Sequence, residues 1–415
     1  MPTTNFTISI FWRRIYTIMQ NLFAYPRMNL LSPLRAYKLV LPVFLFILTS
    51  CKEEFNPSLS NSDVDLLVVE GYIDISGDDS FIQLSRTQPV QSELPFVPET
   101  NARLTLTDEA GTSWAFNEVA PGKYLINVTV GQTGKYRLGI RLSNGKEYLS
   151  DPITPIVTPE IEELGYIKDE AGVEIFVSTK GNEKAQYFLW DYEEHWIFRP
   201  GVLTSYKYNP LTRDVDFRDQ NDRIDLCWNS NMFPKLILQN SARYDDNRIL
   251  QRELVRIPLQ SEKLMQRYSI QVRQRAIDSQ TFQFWEIMKR NSDDIGGIFS
   301  PLPSLLTTNI HDVQSGGSNS AIGYVSMGIA SYKRIYIDNS DVRPWQAVQP
   351  EYLNCRIESD TVLVAQYDNA FRSGTFIPAR PIIVVTTTIG YLGVDVKCAD
   401  CTLRGTNVKP EFWED

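Results

Sequence analysis

The chain reads as mainly β: an N-terminal immunoglobulin-like β-sandwich followed by a larger β-rich domain with one prominent helix. Three observations predict this. Short β-branched and aromatic runs recur between Gly, Pro, Asn and Asp punctuation. One long segment, residues 185–198, alternates residue by residue. A helical period stands out only between Ser279 and Arg290.

Over residues 66–150 the strand signals are LLVVEGYIDI, SFIQLSRTQPV, ARLTLTDEAG, YLINVTV and KYRLGIRLSNGKEYLS. Turns are expected at Gly77-Asp78-Asp79, Pro121-Gly122, Gly131 and Asn144-Gly145. The last lies between alternating flanks, and both residues tolerate the positive φ of a type I′ hairpin. Residues 151–160 (DPITPIVTPE) carry three prolines and read as a stiff linker. It leads into a C-terminal domain over residues 161–415.

In that domain the sequence AQYFLWDYEEHWIF has two phases. Phe188, Trp190, Tyr192, Glu194, Trp196 and Phe198 form one; Asp191, Glu193 and His195 belong to the other. Aromatic side chains are the main volume fillers of β cores, so the stripe predicts a core-facing strand. Glu194, in phase with it, is expected as a buried carboxylate paired with an arginine. Further sheet segments are KLILQNSA, RELVRIPL, YSIQVRQRAI, IGYVSMGIAS, KRIYI and ARPIIVVTTTI. Ser279 offers an N-cap to the helix SQTFQFWEIMKR, and residues 291–297 end it.

Charge is uneven along the 415 residues. There are 41 Lys+Arg against 50 Asp+Glu, a net charge of -9. Residues 1–50 hold five of the basic residues (Arg13, Arg14, Arg27, Arg35, Lys38) and no acid, so without them 36 basic face 50 acidic residues, 36 − 50 = −14. A surface of that sign repels phosphate backbones, which argues against nucleic acid as a partner. Residues 1–50 have the order of a secretion signal, with Met28 a candidate start: Arg35 and Lys38, the apolar run Leu39–Leu48, then small residues. The run is about half of the ~20 residues needed to span hydrocarbon. Leu48-Thr49-Ser50-Cys51 resembles the lipobox of bacterial lipoproteins, which implies cleavage before Cys51, diacylglycerol on its sulfur and acylation of the new amine. Lys52-Glu53-Glu54 is similar to a surface-export signal of outer-membrane lipoproteins, and residues 51–65 read as a lipidated tether.

Four further cysteines, Cys227, Cys355, Cys398 and Cys401, predict two disulfides in an exported chain. The favoured scheme pairs Cys227 and Cys355 each with one cysteine of the Cys398-Ala399-Asp400-Cys401 motif. A redox role for that motif wants a βαβ setting, and the motif instead follows a strand near the end of the sequence.

Chemistry is sparse. HExxH, GxSxG, GxGxxG and GxxxxGK[ST] are absent. His195 is expected in a surface or hydrogen-bonded role and His311 in a loop. Asp214, Asp216, Asp219, Asp222 and Asp225 could gather calcium, but Arg213, Arg218 and Arg223 interleave with them, so a salt-bridged loop is the better expectation. No catalytic residue and no cofactor are expected.

VVEGYI with IQLSRTQPV, YFLWDYEEHW, FWEIMKRNSDDIGGIFSPLPS, GYVSMGIASYKRIYI and the ending CADCTLRGTNVKPEFW together resemble domain-of-unknown-function family 4249. The similarity runs through nearly all of residues 51–415. It implies a Bacteroidetes outer-membrane lipoprotein encoded beside a TonB-dependent receptor, hence a non-enzymatic accessory of that transporter held to the membrane by its lipid. A surface hydrolase using paired carboxylates (Glu193, Glu194 and the aspartates of residues 214–225) or an adhesion module are the alternatives.

Overall fold

In β1 (Leu67–Asp74) the side chains of Leu67, Val69 and Ile73 are buried, as period-two alternation over one core demands. The computed structural model describes residues 66–87, 97–232, 235–293, 308–314 and 321–414. The residues expected as signal segment (1–50), lipidation site (Cys51) and tether (51–65) lie outside the described residues. After β1 come β2 (Ser76–Arg86), β3 (Val97–Pro98), β4 (Arg103–Asp108), β5 (Ser113–Ala115), β6 (Asn117–Ala120), β7 (Lys123–Thr129), β8 (Tyr136–Arg141), β9 (Glu147–Ser150) and β10 (Ile156–Val157). Then follow β11 (Ile161–Lys168), β12 (Gly172–Lys180), β13 (Tyr187–Phe198), β14 (Tyr206–Asn209), β15 (Asp214–Phe217), β16 (Cys227–Met232), β17 (Ile237–Asn240), β18 (Arg248–Pro258) and β19 (Arg267–Ile277). Beyond helix α1 (Ser279–Asp293) lie β20 (Ile310–Asp312), β21 (Ile322–Ile329), β22 (Ser331–Asp338) and β23 (Thr361–Leu363). Helix α2 (Tyr367–Phe371), β24 (Phe376–Val384), β25 (Thr387–Asp395) and α3 (Val396–Ala399) complete the set. The chain is mainly β, and among the described residues no helix is long and apolar enough to cross a membrane.

The first body is a sandwich. A sheet ordered β10-β21-β1-β2-β7-β6, with β3 on β2, faces a sheet ordered β20-β9-β8-β4-β5. Leu84, Leu104, Leu138, Ile140 and Met327 fill the space between them. Residues 66–150 therefore do not make this body alone. β21 lies between β1 and β10, parallel to both, and Ile310, Val325 and Met327 are buried in the core. A parallel pair needs a long crossover; here everything from β2 to β20, α1 included, lies between β1 and β21, so the local pattern at β1 does not reveal its neighbour. Gly323 is required at this junction, since its φ is +129° and a Cβ would stand 1.9 Å from the Val69 carbonyl oxygen. The proline-rich stretch is correspondingly pinned: Ile156 and Val157 pair with β21, and Thr158 Oγ1 accepts from the Ala276 N–H at 2.9 Å.

Two expected turns take other forms. Gly77-Asp78-Asp79 lies inside β2, where the register against β7 shifts between Ser76 and Asp79. At Asn144-Gly145 only the glycine is left-handed (φ +85°), and the Gly145 N–H donates to the Leu142 carbonyl, giving a type I turn closed by a glycine bulge instead of type I′.

The second body sets β11-β12-β18 against β16-β13-β19-β22, with β17 extending the latter sheet along β13. Val173, Ile175, Val177, Phe188, Trp190, Ile270 and Val272 are its core. Within it Trp190 Nε1 donates to Gln274 Oε1 at 2.8 Å, and Gln274 Nε2 donates to Thr179 Oγ1 at 3.0 Å and to the Pro159 carbonyl at 2.8 Å. A buried indole N–H is thereby satisfied.

The third, smaller body joins the β14–β15 hairpin to the sheet β23-β25-β24 around Tyr367, Phe371 and Tyr391. The run ARPIIVVTTTI, expected as one strand, folds back on itself as β24 and β25, with Val385 left-handed at the turn (φ +61°). No glycine, asparagine or aspartate marks this turn. Disulfides Cys227–Cys401 and Cys355–Cys398 tie the C-terminal segment to β16 and to the loop before β23.

Candidate functional site

β13 gathers the residues the sequence singles out, and both of its faces are covered. The aromatic phase faces the second core as expected. Glu194 lies on that side, fully buried, and its partner is a lysine, not an arginine. Lys263 Nζ is 2.7 Å from Glu194 Oε1, the Tyr268 hydroxyl donates to the same oxygen at 2.8 Å, and Asn231 Nδ2 donates to Oε2 at 2.9 Å. Burial and the adjacent carboxylate push the Tyr268 hydroxyl well above the ordinary tyrosine range. Burial pushes Tyr192 up to about 12.

The opposite face carries Asp191, Glu193 and His195, and it is not simply wet. Asp191 is 1% exposed at its side chain, held by Arg273 Nη2 at 2.9 Å and by Arg275. Register explains this: Arg273 on β19 stands opposite Asp191. Burial lowers the Arg275 guanidinium, and Asp191 opposes that shift. Glu193 pairs with Arg334 of β22 at 2.6 Å. His195 packs edge-on against Phe412 at 4.7 Å, and its Nδ1 is buried without a hydrogen-bond partner. Its imidazole is pushed below the ordinary histidine range by burial, with Glu193 acting against the shift and Arg334 with it. The Arg334 guanidinium also lies over the Phe412 ring, 3.7 Å from its centroid. The C-terminal segment thus caps one end of this face, and α1 caps the other, where Phe282 packs on Leu189 and Ile277. Asp278, not Ser279, caps α1: its Oδ1 accepts from the Gln280 and Thr281 N–H groups at 2.8 Å each.

Where the two sandwiches and α1 meet, a cavity of about 170 Å3 is lined by Tyr72, Leu189, Arg275, Trp285 and Tyr324, with Glu70 and Ser326 also present. Its walls are aromatic beside the buried Arg275 guanidinium, and it is smaller than the roughly 300–1,000 Å3 of ordinary small-molecule sites. The Ser326 hydroxyl is 3.2 Å from the Thr281 hydroxyl. Neither Glu193 nor Glu194 faces this cavity, and their hydrogen bonds run to opposite sides of β13.

The aspartates of residues 214–225 are engaged elsewhere. Asp219 caps a short turn, accepting from Asn221 and Asp222 N–H groups. Asp222 pairs with Lys207 at 2.7 Å and Arg218 at 3.1 Å, and Asp225 with Arg223 at 2.9 Å. Asp216 accepts from Asn209 Nδ2, and Asp214 from the Val215 N–H. Among the described residues no group of three or more His, Cys, Asp or Glu side chains is placed to hold a metal. His311 lies on strand β20, not in a loop, with Nε2 3.1 Å from Asp151 Oδ2. Sequence reading missed Arg273 and Arg275 of β19 and Arg334 of β22 as partners of β13; for the two β19 residues, alternate spacing in YSIQVRQRAI was the available signal.

Fold and site together define a disulfide-stapled protein of two β-sandwiches whose prominent carboxylates are locked in ion pairs. The chain belongs to the family described as Domain of unknown function (DUF4249), whose pattern matches residues 52–334. The ending CADCTLRGTNVKPEFW lies beyond that match. No curated protein matches the chain. Among solved structures, a two fibronectin type-III domain segment from chicken tenascin is 11% identical, covering 51% of this chain and 93% of that one, with a TM-score of 0.16. The adhesin InvE of Yersinia pseudotuberculosis is 11% identical over 81% of this chain and 76% of its own, TM-score 0.17. The alpha-2-macroglobulin of E. coli is 11% identical over 55% of this chain and 14% of its own, TM-score 0.17. Likeness at that level carries no functional argument.

Proposed function

We propose that the chain is a lipid-anchored, non-enzymatic binding or accessory protein of the outer membrane, working beside a TonB-dependent receptor. The observation that carries this reading is the order Arg35 and Lys38, the apolar run Leu39–Leu48, then Leu48-Thr49-Ser50-Cys51. Two or three acyl chains on Cys51 would hold the protein at the membrane almost permanently. The receptor association rests on what the sequence resemblance implies, an outer-membrane lipoprotein encoded beside such a receptor. The ion pairs that occupy Asp191, Glu193, Glu194, Asp222 and Asp225 support a binding role over acid–base chemistry. Replacing Cys51 by alanine tests the anchor: the variant should lose lipid label and leave the detergent phase. Mild detergent extraction of the natural protein should recover a large β-barrel receptor with it. A Cys51→Ala protein that stays membrane-bound and labelled removes the location, and repeated recovery of the lipoprotein alone removes the receptor.

A further inference from the structure

The β24–β25 hairpin has a rigid base and an unexplained tip. At the base, Ile377, Ala379 and Val394 are buried with Val202 and Ile224, Phe376 stacks on Phe371, and the Cys355–Cys398 disulfide closes over the same cluster. At the tip the seven residues from Ile383 to Ile389 are all exposed, with Val385 94% and Ile383 59% exposed. Not one Asp, Glu, Lys or Arg occurs from Pro381 to Val394. Val385 combines a β-branched side chain with a left-handed backbone, where glycine or asparagine would relieve strain and a polar residue would suit water. Nothing within the fold favours valine there.

The strand order adds a second observation. β24 is the edge of its sheet. Its inner half is guarded, because Pro378 and Pro381 lack N–H groups and the Thr204 hydroxyl donates to the Pro378 carbonyl at 2.8 Å. Over Ile382–Val384, among the described residues, no proline, charge or paired strand covers the outer edge, and the one irregularity is a register shift against β25 between Ile382 and Ile383. Such an edge excludes lipid as the occupant, since open strand edges are not tolerated in hydrocarbon. The occupant must supply backbone donors and acceptors, an apolar surface and no charge. A second copy supplies all three.

We propose that Ile382–Val384 of β24 pairs antiparallel with the same segment of a second molecule, joining the two sheets across a two-fold axis. The contact is isologous and closes at a dimer. The exposed tip from Ile383 to Ile389 offers roughly 500 Å2 per molecule, near the lower limit for a specific interface. The dimer is therefore weak in solution and is favoured where a membrane anchor raises local concentration. The pairing does not depend on any receptor.

The test uses the full membrane-anchored protein. Ile383→Cys should form a disulfide-linked dimer of this chain on mild oxidation in intact membranes, because residues at the centre of an antiparallel pair face each other. Leu250→Cys, 69% exposed on another body, is the collision control and should not. In sedimentation of the detergent-solubilised lipoprotein, Ile383→Lys with Val384→Lys should weaken self-association at least tenfold with an unchanged thermal midpoint. Equal cross-linking at Leu250→Cys, a cross-link at Ile383→Cys only to a different protein, or a natural protein that stays monomeric at about 100 µM overturns the proposal. So does tip-dependent flotation of the Cys51→Ala protein with phosphatidylcholine vesicles, which would make lipid the occupant.

Discussion

Asp191→Asn is the sharpest probe of the β13 architecture. The substitution keeps shape and removes charge from a carboxylate 1% exposed, leaving Arg275, 14% exposed, without its counter-charge. Arg273 is 32% exposed and can turn partly to water, so Arg275 sets most of the cost. Breaking a buried pair by removing one member costs ~3–5 kcal/mol. With a urea slope of about 3 kcal/mol/M, the unfolding midpoint should fall by roughly 1–2 M. The assay is urea unfolding of the oxidised protein, followed by tryptophan fluorescence, because Trp190 belongs to the same strand. Asp191→Leu combined with Arg275→Met should then be less destabilised than the sum of the two single changes, by at least ~2 kcal/mol, since no uncompensated charge remains at that pair. A single-variant loss under ~1 kcal/mol, or strict additivity in the double variant, would refute the claim that this ion pair is buried and mutually dependent.

Two other expectations follow from named contacts. Because burial holds the His195 imidazole below its unfolded value, the unfolded chain binds more protons as pH falls through about 6.5. The histidine's contribution is thus present above that pH and is lost below it; the stability difference between the natural protein and His195→Phe should shift in that direction between pH 7.5 and 5.5, and a pH-independent difference would count against it. Removing Cys227–Cys401 opens a 174-residue separation and removing Cys355–Cys398 one of 43 residues, worth about 5 and about 4 kcal/mol in the chain-entropy model. Paired Cys→Ser variants should rank in that order by denaturant midpoint, and the reverse order would show that local packing outweighs loop length.

Local patterns carried far in this chain, and their failures share a cause. The aromatic phase of Phe188, Trp190, Tyr192, Trp196 and Phe198 announces a core strand because each side chain reports its own burial. Two disulfides were legible from the even cysteine count, and both bonds do run to the CADC motif, but which cysteine takes which partner was not. The surroundings of Asp191 and Glu193 were not legible, since a polar phase does not show that one is buried and the other half-buried against arginines 82 and 141 residues away. β11 and β12 went unread although Val173, Ile175 and Val177 alternate as a strand should. The turn at Val385 was invisible for a different reason: its conformation runs against residue preference. Likewise the partner of β1 is β21, some 250 residues later, and periodicity holds no information about such a pairing.

That long-range pairing bears on how an anchored protein would carry load. On the proposed anchoring, tension from the membrane enters the fold at Leu66, immediately before β1. The entry is clamped, with the Leu66 N–H donating to Thr87 Oγ1 at 2.9 Å and the Thr87 N–H to the Leu66 carbonyl at 3.0 Å. β1 is an interior strand, flanked by β2 and by β21. A pull along its axis loads both hydrogen-bonded ladders at once instead of opening them one bond at a time, as it would on an edge strand peeled sideways. β21 is continuous through Ala330 with β22 of the second sandwich, and the Ala330 N–H donates to Asp74 Oδ2 at 3.1 Å at the far end of β1. On that anchoring, force at the tether would pass through β1 and β21 toward the second sandwich, along a pairing that sequence pattern does not reveal.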